Sequence, residues 1–161
     1  MKRMVINLAA QSLRLEEDGS AIREYAVSTA ANGAGEKINS FQTPRGLHRI
    51  HAKIGEGLPP NTVLRGRQPT GEIYSTQLAR QMPQRDWILT RILWLEGCEP
   101  RKNLGGDVDT KQRYIYIHGA PDDVAMGKPG SLGCIRMTNT DIRELFDLTD
   151  KGMSVLIVEA E

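Results

Sequence analysis

The stretch Ser131-Leu132-Gly133-Cys134-Ile135-Arg136-Met137, with His118-Gly119 upstream of it, decides how this chain is read. It sets a cysteine directly after a glycine and two positions before a cation. A loop holding Gly127, Pro129 and Gly130 comes before it. The histidine closes an apolar run, Tyr114-Ile115-Tyr116-Ile117. A cysteine nucleophile needs a base for the thiol proton, a rigid turn to present sulfur, and donors for the developing oxyanion. All three ingredients fall within sixteen residues.

Taken singly, each residue has a plainer reading. A free cysteine is most often a small buried hydrophobe, and Cys98 and Cys134 permit one disulfide on count alone. Gly133 by itself marks only a turn. Ser131 is not the serine of a nucleophile elbow, because that motif needs glycine two positions earlier and position 129 is proline. Cys98 lies in no motif and reads as core filler.

Composition narrows the classes. The 161 residues suffice for one domain, 1–161, with a substantial core. Twenty-one basic and 20 acidic side chains leave a net charge of +1, with no basic stripe to mark a nucleic-acid partner. Aromatic residues make up only 5%, so no carbohydrate-stacking surface is advertised. His48, His51 and His118 lack metal-site spacing, and His48 and His51 would fall on opposite faces of a strand. No metal and no cofactor is expected. Near the start, Met4-Val5-Ile6 is interrupted by Asn7, and Leu8-Ala9-Ala10 by Gln11. A secretory h-region of roughly 7–15 apolar residues and a membrane span of ~20 are both missing from the stretch. The expected compartment is the cytosol, or the periplasm if a leader has been removed.

The periodicity is mostly that of strands. Alternating runs flank Glu17-Asp18-Gly19-Ser20, a hairpin signal. A loop over 29–45 leads through Thr43-Pro44-Arg45-Gly46 into a strand over 47–54. Residues 55–86 hold connections and at best short strands. The run 88–95 is apolar enough to cross the core. The long loop 96–111 is expected to border a substrate groove. After Met137 the period changes. Thr138 or Thr140 can cap a helix carrying Ile142, Leu145, Phe146 and Thr149, with Gly152 as its stop. Val155-Leu156-Ile157-Val158 closes as a buried strand. The fold class expected is mainly β: a sandwich or barrel with one helix beside the nucleophile loop.

The pattern His-Gly, loop, Ser-x-Gly-Cys-x-Arg resembles the L,D-transpeptidase catalytic domain (YkuD-type). The segment Ser40–Ile50 resembles that family's Thr-Pro-x-Gly stretch, and together the similar segments cover most of residues 3–159. The resemblance implies two packed mixed sheets and an enzyme acting on the peptide stems of peptidoglycan. It implies Cys134 as nucleophile, His118 as base, and the Gly119 carbonyl as orienter of the imidazole; the carboxylates of Asp122 and Asp123 are rival orienters. The N–H groups of Cys134 and Gly133 are expected as oxyanion donors. Arg136 reads as a ligand for a substrate carboxylate or as a brace for the turn, and Ser131 as a substrate contact or a loop-shaping residue. Arg45, Lys102 and Arg113 are lesser carboxylate candidates. One position departs from the usual motif: Leu132 stands where many members carry histidine, which removes any polar role there. The expected activity is removal of terminal D-alanine from stem tetrapeptides. The rivals are a transpeptidase that cross-links or exchanges D-amino acids, and a non-catalytic stem-peptide binder. The expected partner is the stem tetrapeptide, met by a monomer with no nucleic-acid or membrane contact.

Overall fold

Alternation of apolar and polar side chains builds the first sheet segment. In the computed structural model, which describes residues 1–161, β1 (Lys2–Asn7), β2 (Ser12–Glu17) and β3 (Ser20–Ala26) form an antiparallel meander. Met4, Ile6, Leu13, Leu15 and Tyr25 point from it into the core. Asp18 and Gly19 make the turn with φ of 51° and 86°, the left-handed pair that matches strand twist in a two-residue hairpin.

β4 (Gly46–Ile54) follows the 27–45 segment, then the hairpin β5 (Thr62–Arg65) and β6 (Gln68–Ile73). A short helix that the periodicity did not announce, α1 (Thr76–Gln81), precedes β7 (Leu89–Gly97). β8 (Tyr116–Ala120), β9 (Ile135–Thr138), α2 (Asn139–Leu148) and β10 (Ser154–Val158) complete the chain. No helix is long and apolar enough to cross a membrane.

Hydrogen bonding joins all ten strands into one mixed sheet. The order is β3-β2-β1-β10-β4-β7, with β7 also pairing β5 and β8, and β8 pairing β9. β1–β10 and β8–β9 run parallel and the other pairs antiparallel. The sheet curls until its ends meet. Ser28, just past β3, exchanges two backbone hydrogen bonds of 2.9 Å with Arg136 of β9. The architecture is the mainly β, barrel-like one expected, with its layers continuous through this closure.

α2 packs on β7, β8 and β9 and sends Ile142, Leu145 and Phe146 into the core. Thr138 is its cap, its hydroxyl accepting from Asp141 N at 3.1 Å. The helix stops at Leu148 rather than running to Gly152. Lys53 Nζ from β4 donates to the Phe146 and Thr149 carbonyls at 2.7 and 2.5 Å, supplying a cation at the negative end of the helix. The loop 96–111 is held against the start of β4, with Asn103 Nδ2 on the Arg45 and Leu47 carbonyls. It does not line the main cleft, contrary to expectation. Residues 64–67 with Arg85 and Asp86, read as connections or at best short strands, form a wall of that cleft instead.

Candidate active site

β8 and β9 lie parallel with Ile117 opposite Ile135 and His118 opposite Arg136. Side chains alternate along a strand, so Ile117, Ile135 and Met137 enter the core while Tyr116, His118, Cys134 and Arg136 face one cleft of about 620 Å³. The strand therefore carries His118 in its middle, not at its end. Tyr114 breaks the apolar run before it by adopting a left-handed φ of 56°.

The loop before Cys134 is laced to the segment after β3. Gly130 N and Ser131 N both donate to Thr29 O, at 2.8 and 2.9 Å, and Ala31 N donates to Ser131 O at 2.9 Å. The buried Thr43 hydroxyl donates to Gly133 O at 2.9 Å and accepts from Ala30 N at 3.0 Å. This is what the Thr-Pro segment contributes: it pins the cysteine turn from the far side. Gly133 has φ 131°, a conformation L side chains rarely adopt.

Ser131 Oγ donates to Cys134 O at 2.6 Å and accepts from Gly133 N at 3.2 Å. Both facts bear on the expected roles. The Ser131 hydroxyl is bonded inside the turn, which matches its loop-shaping reading, and the residue also lines the cleft. The Gly133 N–H, expected as an oxyanion donor, is directed at the Ser131 hydroxyl at 3.2 Å. The Cys134 N–H makes no hydrogen bond within the protein and is the donor left open.

Cys134 Sγ donates to Tyr114 O at 3.4 Å and accepts from Tyr116 N at 3.3 Å. No hydrogen bond joins it to the imidazole. Burial pushes the thiol up to about 12, against the opposing pull of the Tyr116 N–H. His118 is buried, with Nδ1 2.7 Å from Gly119 O. A carbonyl only accepts, so Nδ1 carries the proton and Nε2 is the free base. Burial also lowers the imidazole pKa, opposed by the Gly119 bond and the nearby Asp86 charge. Both shifts favour a neutral thiol and a neutral imidazole.

Gly119 is demanded by crowding. A Cβ there would lie 2.4 Å from Asn139 Oδ1 and 2.6 Å from Leu89 O. Asp122 and Asp123 lie away from the imidazole, beside Tyr74 and Ser75 in another pocket. Arg136 Nη2 donates to Ser28 Oγ at 2.8 Å, while its buried Nε has no partner; one brace and one open donor serve both readings of this residue. Arg45 is tied to Glu36 and Glu159, and Lys102 lies 4.0 Å from Glu99. Arg113 does line the cleft. Leu132 is 60% exposed at the rim, between the cleft and a smaller groove of about 280 Å³ that also includes Ile38, Phe41 and Tyr114. Cys98 is half-buried and outside the core clusters, not core filler. Both cysteines are free. Sequence reasoning missed Arg67, Arg85 and Asp86, which the fold brings to the cleft from the β5–β6 turn and the approach to β7.

The family model for the L,D-transpeptidase catalytic domain (YkuD) matches residues 1–157. The chain belongs to this family. Solved L,D-transpeptidases share its fold. One from Mycobacterium smegmatis aligns with TM-score 0.57 at 18% identity, over 98% of this chain and 58% of its own. One from Xylanimonas cellulosilytica gives 0.62 at 18%, over 98% and 60%. L,D-transpeptidase 3 from Mycobacterium tuberculosis gives 0.60 at 15%, over 98% and 61%. This chain thus spans about three-fifths of the length of these L,D-transpeptidases. No curated protein matches it.

Proposed function

We propose that this domain is a cysteine acyl-transfer enzyme of the L,D-transpeptidase family that removes the terminal D-alanine from peptidoglycan stem tetrapeptides. The observation that carries the reading is the placement of Cys134, His118 and an unpaired Cys134 N–H around one cleft. Clefts of ~300–1,000 Å³ enclose a drug-sized ligand, and a tetrapeptide is of that size. The main cleft, at about 620 Å³, is of a size to hold one acyl donor.

The chemistry follows from the geometry. Rotation of Cys134 away from Tyr114 O brings its thiol toward His118 Nε2, which takes the proton as sulfur attacks the carbonyl of the third stem residue. The oxyanion receives the Cys134 N–H, a type of donor worth ~3 kcal/mol of barrier. His118 then gives the proton to the departing D-alanine nitrogen, the C–N bond breaks, and a thioester remains. Water, deprotonated by His118, attacks the thioester. The sulfur leaves and recovers the proton, and a tripeptide carboxylate is released.

A second reading is favoured by the smaller groove across Leu132. It adjoins the same cysteine turn and offers room for an amine acceptor, which would make the enzyme a transpeptidase. Incubating purified protein with tetrapeptide, with and without excess D-amino acid, and weighing the products separates these. Tripeptide with free D-alanine supports hydrolysis; dominant exchange products or dimers overturn it in favour of transpeptidation. A carbapenem adduct on Cys134 excludes a pure binding module, which would form none.

A further inference from the structure

Five arginines and one acid face the cleft: Arg65, Arg67, Arg85, Arg113 and Arg136 against Asp86. In a chain of 21 basic and 20 acidic residues this is a local concentration of positive charge. Arg85 is neutralised by Glu72 through bonds of 3.1 and 2.7 Å. The other four form no ion pair with any carboxylate. Arg113 bonds only carbonyls and the Ser40 hydroxyl, and Arg136 only Ser28 Oγ.

Arg67 is the most firmly held of the four. It sits in the β5–β6 turn at a left-handed φ of 63°. Its Cζ lies 4.9 Å from the Trp94 ring centre and 4.7 Å from that of Tyr114. Nη1 donates to the Tyr116 hydroxyl at 3.0 Å, so the guanidinium is fixed by two aromatic rings and one hydrogen bond. Its other N–H groups have no partner within the protein. Tyr114 and Tyr116 are also the residues whose backbone holds the Cys134 sulfur. A planar donor fork is thus held rigidly in the cleft that the reacting thiol also lines.

We propose that Arg67 recognises a carboxylate of the acyl donor, and that the cleft selects stem peptides whose carboxylates are free over those in which they are amidated. The substrate side of this inference rests on the stem-peptide reading above; the anion preference of the cleft does not. A guanidinium fork pairs with both oxygens of a carboxylate, whereas an amide offers one acceptor and no charge. Arg65, Arg113 and Arg136, which no carboxylate pairs, add positive charge to the same cleft, where Asp86 is the one opposing acid.

Two measurements test this. In the first, Cys134 is alkylated by iodoacetate and by iodoacetamide, with Cys98 as the reference thiol in the same molecule and modification read by peptide mass. The iodoacetate-to-iodoacetamide rate ratio is expected to be about tenfold higher at Cys134 than at Cys98 in low salt, and to shrink as salt is added. It should fall several-fold in Arg67→Gln and less in Arg67→Lys. Equal ratios at the two cysteines of the wild-type protein overturn the proposal without recourse to any variant. In the second, wild-type kcat/KM is compared between a free tetrapeptide and its amidated form. A preference of about tenfold for the free acid is expected, reduced in Arg67→Gln; equal values overturn the selectivity. Should neither peptide be turned over while the alkylation ratio holds, the anion-selective cleft stands and the stem-peptide activity falls.

Discussion

Cys134 and His118 rest as neutral partners because the same burial that raises the thiol pKa lowers that of the imidazole. A thiolate–imidazolium pair at rest would need both shifts reversed, so the proton crosses during acylation. Alkylation of Cys134 by a neutral haloacetamide is expected to keep accelerating with pH beyond the ordinary thiol value of 9.0. A rate already level at neutral pH would mark a resting ion pair. Cys134→Ala and Cys134→Ser are each expected to end D-alanine release while costing only about 1 kcal/mol of unfolding stability; turnover surviving in both removes the nucleophile assignment. Gly119→Ala should cost about 2 kcal/mol or more by urea unfolding, since one of the atoms it meets is the fixed Leu89 carbonyl. Wild-type stability in that variant would mean the strand can shift aside. Cys134 and His118 were legible in the sequence through the spacing of their motif, and Gly119 and Gly133 belong to it because crowding at the first and left-handed backbone at the second exclude a side chain. Arg67 was not legible. Its Gly66-Arg67 neighbourhood signals only a turn, and its place in the cleft depends on β5 pairing with β7, which no local pattern states.

The nucleophile loop holds its shape through elements remote in sequence. Thr43, ahead of β4, joins Ala30 N to Gly133 O through one hydroxyl. Thr43→Val keeps the volume but leaves a buried N–H and a carbonyl without their partner, at a cost of about 1–3 kcal/mol. The variant is expected to lose kcat more than KM, because the turn that presents sulfur loosens while the cleft walls stay. Unchanged kcat would leave Thr43 with a purely structural role. β7 shows a different device. Thr90 adopts φ 75° at a register shift, and its hydroxyl meets Asn61 N at 3.0 Å and Asn139 Oδ1 at 2.7 Å. This buried cluster backs the strand that carries His118. The apolar run 88–95 foretold a core strand, but a β-branched residue in left-handed conformation is contrary to its propensity and could not be read from it. The helix cap at Thr138 and the Asp18-Gly19 turn were readable, since both are local chemistry. The role of loop 96–111 was misjudged because length says nothing about which side of a sheet a loop covers.

Across the whole molecule, stability should depend on pH through buried histidine. His48 is enclosed, with Nδ1 2.9 Å from Gly46 O and Nε2 3.0 Å from Thr110 Oγ1. Burial lowers its pKa from 6.5 to about 4. The unfolded chain therefore binds a proton that the folded one refuses between these values. Stability is full above 6.5, declines as pH falls toward 4, and gains no further loss from this group below that. The loss amounts to at most about 3 kcal/mol, and the lowered pKa of His118 acts in the same direction. Urea unfolding across this range should show the decline, and His48→Gln should flatten it; a level profile in the wild type refutes the linkage. The denatured, unreduced protein is also expected to expose two reactive thiols, whereas a mass two hydrogens low would reveal a disulfide. The meeting of the sheet's ends has a further consequence, in the order of synthesis. β9 gains its second neighbour from Ser28, 108 positions earlier, and β1 is completed only when β10 slots between it and β4. The distant partners of the cysteine turn, Ser28 and Thr43, are therefore made before Cys134, and only β9, α2 and β10 follow it. Such distant pairings make folding slow, and the sheet that frames the cysteine is complete only once β10 has entered between β1 and β4.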